Sequence, residues 1–295
     1  MARGKQLLAV LNRSVALVVM AFLLMPACIE KPDPLPPDEP DEPEVPVDPV
    51  EPEKPKDKEV TLMGEFSEEF SAKESEYFSF GRRETRDDFR FYPGFPSMSE
   101  SGNTILMLRL DPADGPGTGS VVSAKDYTFY GSYSVRMRIP DIVAVQRKLG
   151  ACVDFVLYDD DSVYGVDEIS LSLRVADQGG VYVALNHTDA DGSNKVSVSE
   201  AIVPGIDGFN AATKNYIYGF DWAEGSFEWW MKTKPSGDKI VLKTVTENVP
   251  TQPLRLMLRY YHSQNSPTRD NADATQAPNY PYELETDWIK YTPRQ

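Results

Sequence analysis

From Val60 to its end the chain holds no apolar repeat long enough for a helix. It offers instead short runs of β-branched and aromatic residues cut by glycine, proline and aspartate. The runs are Thr104 to Leu110, Gly119 to Ser123, Gly131 to Ile139, Cys152 to Leu157, Glu168 to Val175, Val181 to Leu185, Asn215 to Trp222, Ser226 to Lys232, Lys239 to Thr246 and Leu254 to Tyr261. Turn clusters lie between them: Gly115-Pro116-Gly117, Asp177-Gln178-Gly179-Gly180, Asp189-Ala190-Asp191-Gly192 and Pro235-Ser236-Gly237-Asp238. Short runs with turns at such intervals predict an all-β sandwich of antiparallel strands. The best helical candidate, Gln146 to Leu149, is barely one turn. The stretch is generous for an immunoglobulin-like sandwich and suits a larger jelly roll of two antiparallel sheets.

The amino terminus reads as an address. Arg3, Lys5 and Arg13 precede a mostly apolar run from Ser14 to Met25, too short for a comfortable membrane span. The run ends in Met25-Pro26-Ala27-Cys28, which resembles the bacterial lipobox, in which the cysteine becomes the first mature residue and carries acyl chains. The resemblance implies a signal peptide over residues 1–27 and a lipid anchor on Cys28; an ordinary signal peptide with Cys28 incidental is the alternative. Residues 28–59 then form a tether, since alternating prolines and acids cannot build a core and favour extended chain. Acidic residues soon after a lipid cysteine resemble a signal for display on the outer membrane's external face, so a cell-surface location is expected.

Charge narrows the partner. Residues 30 to 59 hold twelve Asp or Glu against four Lys, and of the chain's net −16 the stretch from Val60 to Gln295 keeps −11. An acidic body without a basic stripe excludes nucleic acid as the natural partner, because neutralising phosphates needs clustered Lys and Arg. Two cysteines and two histidines, far apart, exclude a zinc ribbon, a disulfide scaffold and any multi-histidine metal centre. Cys152, within an apolar strand, reads as a small buried hydrophobe.

Several stretches, in order, resemble the family 16 glycoside hydrolases of the laminarinase and lichenase type, which fold as a concanavalin A-like jelly roll. Tyr130-Gly131-Ser132-Tyr133-Ser134-Val135-Arg136-Met137-Arg138 is similar to that family's Y-G-x-Y-E-V-R-M-K strand. Val166-Asp167-Glu168-Ile169-Ser170-Leu171-Ser172 falls where the family places W-D-E-I-D-I-E. Asn215 to Trp222 with Phe227-Glu228-Trp229-Trp230 resembles H-T-Y-A-F-D-W and I-K-W-Y. Leu254 to Tyr260 resembles P-G-K-I-M-M-N-L-W, and Asp287-Trp288-Ile289-Lys290-Tyr291 the closing D-W-V-K-Y. The resemblance covers Leu106 to Tyr291, within a domain spanning residues 60–295.

In that family the first Glu of the catalytic strand is the nucleophile, the Asp positions it and the last Glu is the general acid and base. Positions two apart on a strand share a face, so all three carboxylates enter one cleft. Here the three positions hold Glu168, Ser170 and Ser172. Retaining hydrolysis needs two carboxyl groups about 5 to 5.5 Å apart, and a serine hydroxyl does not titrate near neutral pH. Asp167 alternates to the opposite face. The best candidate for a replacement acid is the loop Asp159-Asp160-Asp161, whose plainer reading is a solvated acidic turn.

Carbohydrate clefts combine aromatic platforms with polar groups that bond hydroxyls. The resemblance places Tyr260 at a cleft-floor Trp position, and Tyr158 and Tyr164 flank the acidic segment at the cleft mouth. His262, close by, is a candidate hydrogen-bond partner, while Trp222, Trp229 and Trp288 read first as core and Trp230 as facing outward. Some family members hold a structural calcium through the Asp of the closing D-W, which Asp287 matches; no other cofactor is implied. The expectation is a lipid-anchored β-glucan binder whose cleft presents Glu168, Ser170 and Ser172, working beside other glycan-uptake proteins. The alternatives are an active endo-β-glucanase with Glu168 as nucleophile and a relocated acid, and a surface adhesin or scaffold.

Overall fold

A computed structural model describes residues 59–72, 74–83, 90–92, 105–110, 119–141, 151–161, 165–175, 180–189, 191–193, 195–262 and 281–294. Cys28, the signal peptide and the tether up to residue 58 lie outside the described residues, as do Tyr164 and Gln146 to Leu149. Among the described residues the chain is all-β, with no helix. The strands are β1 (Phe66–Glu68), β2 (Phe78–Arg83), β3 (Arg90–Tyr92), β4 (Ile105–Leu110), β5 (Gly119–Ala124), β6 (Gly131–Arg138), β7 (Ala151–Asp161) and β8 (Gly165–Arg174). There follow β9 (Gly180–Thr188), β10 (Val196–Ile202), β11 (Tyr216–Ala223), β12 (Ser226–Lys232), β13 (Ile240–Val245), β14 (Arg255–His262) and β15 (Tyr282–Pro293). Every run read from the sequence is a strand. β1, β2, β3, β10 and β15 fall outside those runs, and β7 runs on through Asp159, Asp160 and Asp161, so the segment expected as an acidic loop is extended backbone paired with β8.

The strands form two antiparallel sheets. One has the order β10-β9-β8-β7-β14-β5-β2; the other runs β13-β12-β11-β6-β15-β4-β3, with β1 added on β15. Every second residue of each central strand enters the space between them. Ile169, Leu171 and Leu173 on β8 and Leu256, Leu258 and Tyr260 on β14 are buried in one core with Tyr133, Val135, Phe220, Trp222, Phe227 and Trp229 from the facing sheet. Phe155 stacks on Phe220 across the sandwich, ring centroids 4.8 Å apart.

Two devices fix β8, the strand on which the site depends. Gly165, at its start, has φ +90°, and any side chain there would run into the Thr188 carbonyl on β9; only glycine adopts this backbone without strain. Further along, the Trp229 indole crosses the core from β12, its Nε1 donating to the Ser170 carbonyl at 3.0 Å. Trp222 and Trp229 are core residues, as expected. Trp230 faces away, its Nε1 on Asp221 at 3.2 Å. Trp288 departs from the core reading: it is half-buried, with Lys290 Nζ 4.6 Å from its ring centre.

Candidate functional site

The register around β8 generates the site. Glu168 lies between Tyr158 on β7 and Asn186 on β9, Ser170 between Val156 and Ala184, and Ser172 between Asp154 and Tyr182. Strand β14 continues these rows with Arg255 opposite Tyr158, Met257 opposite Val156 and Arg259 opposite Asp154. Since the intervening residues fill the core, these rows form the sheet's outer face. Alternation thus brings Glu168, Ser170 and Ser172 together on one side, as the spacing implied. Across β7, β8 and β9 the middle row carries the short side chains Val156, Ser170 and Ala184, flanked on both sides by longer polar and aromatic groups.

One side chain spans those flanks. Arg259 Nη2 donates to Asp154 Oδ2 and to Glu168 Oε1, each at 3.1 Å. Asp154 and Glu168 belong to opposite flanking rows, so the guanidinium crosses the middle one. Burial alone would lower the pKa of Arg259, but the charges of Asp154 and Glu168 outweigh it and raise it, leaving a fixed cation. Tyr261 closes the network, its hydroxyl donating to Asp154 Oδ2 at 2.6 Å. Burial first, and the Asp154 charge second, push that phenol well above its ordinary range. Asp154 Oδ1 and Arg259 Nε are buried without a hydrogen-bond partner among the described residues. Glu168 remains reachable, its side chain 27% exposed against 3% for Asp154.

Of Glu168, Ser170 and Ser172, only the first carries a carboxylate. Among the described residues the Ser172 hydroxyl bonds no carboxylate; it sits 3.5 Å from the Ser170 hydroxyl, at the outer limit of a hydrogen bond. Asp167 is turned to the other side, where its carboxylate meets His187 Nδ1 at 2.8 Å. Burial raises the pKa of Asp167, partly countered by His187. Asp159 shares that orientation, opposite Asp167, and accepts from the Tyr127 hydroxyl at 3.1 Å. It therefore points away from Glu168, while the side chains of Asp160 and Asp161 lie outside the described residues.

The aromatic expectations divide. Tyr158 is half-exposed beside Glu168, and the Arg259 guanidinium lies 5.8 Å from its ring centre. Tyr260 is not in the site: it is fully buried in the core. The physical reason is the period of two, because Leu254, Leu256 and Leu258 point inward and carry Tyr260 with them, leaving Tyr261 on the outer face. Counting the family strand P-G-K-I-M-M-N-L-W from Pro253 likewise ends its Trp on Tyr261. His262 ends β14, and its side chain lies outside the described residues. Sequence reasoning missed Asp154, Arg259 and Tyr261. The leucine alternation could have found two of them, whereas the pairing of Asp154 with Ser172 needed the register.

Asp287 does not fit a calcium site. It sits in a bulge of β15, 4% exposed, and its Oδ2 accepts from the Arg136 guanidinium. A guanidinium against the carboxylate repels a divalent ion. Among the described residues no three acidic, histidine or cysteine side chains gather as a metal site. Cys152 is fully buried, as expected for a small apolar side chain in β7.

The sequence pattern of Glycosyl hydrolases family 16 matches residues 85–290. A curated relative, the β-glucanase of Paenibacillus polymyxa, is 26% identical over 163 residues, covering 55% of this chain and 59% of that protein. The chain thus spans somewhat under two thirds of that relative's length. Among solved structures, the β-glucanase of Bacillus licheniformis superposes with a TM-score of 0.53 at 19% identity, covering 79% of this chain and 100% of that one. A laminarinase catalytic domain from Thermotoga petrophila gives 0.52 at 14% identity, over 80% of this chain and 99% of that one. A family 16 endo-glucanase from Bacteroides ovatus gives 0.52 at 10%, over 77% and 99%. At these identities the structures establish the jelly-roll fold.

Proposed function

The chain belongs to glycosyl hydrolases family 16, and on that premise we propose that it is a cell-surface lipoprotein that binds β-glucan without cleaving it. The carrying observation is the state of Glu168. It is the only carboxylate at the three motif positions, and its Oε1 is engaged by Arg259. A retaining hydrolase needs a free nucleophile and a protonated acid about 5 to 5.5 Å away. Here the nucleophile position is bound to a permanent cation, and the acid position holds a hydroxyl. Losing the general acid alone forfeits about 10²- to 10⁴-fold in rate.

What remains suits recognition of a neutral sugar chain. Glu168 and Asn186 supply polar groups beside Tyr158, a platform for sugar C–H faces. β-Glucan is the ligand class named for the relatives above. Cys28 would tie the protein to the outer membrane through acyl chains, with residues 28–59 holding the domain clear of it and other glycan-uptake proteins as neighbours.

Calorimetry with β-1,3-, mixed-linkage and β-1,4-glucan oligosaccharides tests the reading. Binding to at least one is expected, weakened by Tyr158→Ala. No binding to any of them would overturn the glucan assignment. The double variant Ser170→Asp with Ser172→Glu restores the missing carboxylates and is expected to gain weak hydrolysis.

A further inference from the structure

The carboxylate missing from position 172 has a counterpart one strand away. Asp154 is the direct cross-strand partner of Ser172, on the same face. Its Oδ2 and Glu168 Oε1 are bonded to the same nitrogen of Arg259, so the two oxygens lie no more than twice 3.1 Å apart. This second acid is already engaged: its Oδ2 accepts from both the shared guanidinium and the Tyr261 hydroxyl. What it does is hold Arg259 across the row of short side chains where a glycan would lie.

We propose that Arg259 is the central glycan-contacting donor of this site and that Asp154 is its positioning residue, the pair standing where the site lacks carboxylates on β8. The inference rests on the glycan-binding reading and deepens it. Two buried orphans support it: Arg259 Nε is a donor and Asp154 Oδ1 an acceptor, both without partners among the described residues. Buried polar groups left unpaired are costly and uncommon. A sugar hydroxyl both donates and accepts, so one seated on the exposed part of Arg259, 15% of its side chain, can satisfy either atom through one water. The forked guanidinium has donors to spare beyond the two carboxylates.

The test uses a mixed-linkage β-glucan oligosaccharide on the parent and its variants. In the parent the Arg259 Nε–H resonance should shift as glycan is titrated; an unchanged resonance at saturation would overturn the contact. Arg259→Gln should weaken affinity about ten- to a hundredfold, as for loss of a charged hydrogen bond. If Arg259 merely neutralised Glu168, it would cause no further loss in a Glu168→Gln background; the proposal requires a further loss of at least about tenfold. Asp154→Asn should weaken binding in the parent and add nothing to Arg259→Gln, because it acts through that side chain. Full additivity would refute the positioning role. A parent that binds no glucan would bring down the function proposed above, whereas a binding parent indifferent to Arg259→Gln would bring down this inference alone.

Discussion

Exchange of Tyr260 for alanine tests the register on which the site is built. Its ring is fully buried in the core formed with Leu256, Leu258 and the aromatics of the facing sheet. Truncating a buried aromatic to alanine costs about 3–5 kcal/mol, the transfer loss plus the cavity left behind. At about 2–4 °C per kcal/mol for a domain of this size, the Tm should fall by roughly 6–20 °C. Tyr261→Phe is the contrasting change: it removes one hydroxyl from Asp154, costs about 1–3 kcal/mol and loosens Arg259. Paired thermal melts and glucan calorimetry separate the two. Tyr260→Ala should lose the more stability and, where folded, keep most of its affinity, whereas Tyr261→Phe should lose less stability and bind more weakly. A Tyr260→Ala protein that melts within a degree or two of the parent but no longer binds would place that ring in the site and refute the register argument.

Three further perturbations have defined outcomes. His187 lies between Asp167 and Asp189, at 2.8 and 2.9 Å; burial lowers its pKa, but the two carboxylates outweigh it and raise it above 6.5. The charged ring therefore favours the fold below pH 6.5, and that contribution fades as pH rises through the higher folded value. With solvent screening it amounts to under about 1 kcal/mol, which urea titrations should show as a pH dependence absent from His187→Gln. Arg136→Met strands the buried Asp287 carboxylate and should cost about 3–5 kcal/mol, while added calcium should leave the parent's Tm unchanged; a calcium-induced rise would reinstate the metal. Cys28→Ser should abolish labelling by a fatty-acid probe and release the protein from membranes or leave it held by its uncleaved signal peptide, and persistent labelling would disprove acylation.

Much of this architecture is legible in the sequence because a period of two is a strong signal wherever one face is buried. The sequence pattern marks Ser226–Lys232 to the residue, and the sharing of a face by Glu168, Ser170 and Ser172 follows from spacing alone. Short or charged strands were not legible: β1 and β3 have three residues each, too few for a pattern, and β10 is largely exposed. The acidic Asp159 to Asp161 segment reads as a turn by composition, yet ladder pairing with β8 keeps it extended, an override of local propensity by tertiary context. Asp154 and Arg259 were hidden for a different reason. Their strands lie about a hundred residues apart, and nothing local reports which residues become cross-strand neighbours.

On the proposed function, this family 16 domain holds glucan and leaves it intact. The most direct measurement incubates the purified protein with mixed-linkage and β-1,3-glucan, reading bound polysaccharide by affinity electrophoresis and new reducing ends in the same samples. Retarded migration is expected, with reducing ends at the level of a protein-free blank. Turnover that disappears in Glu168→Gln would contradict it, showing that Glu168 escapes Arg259 and finds an acid.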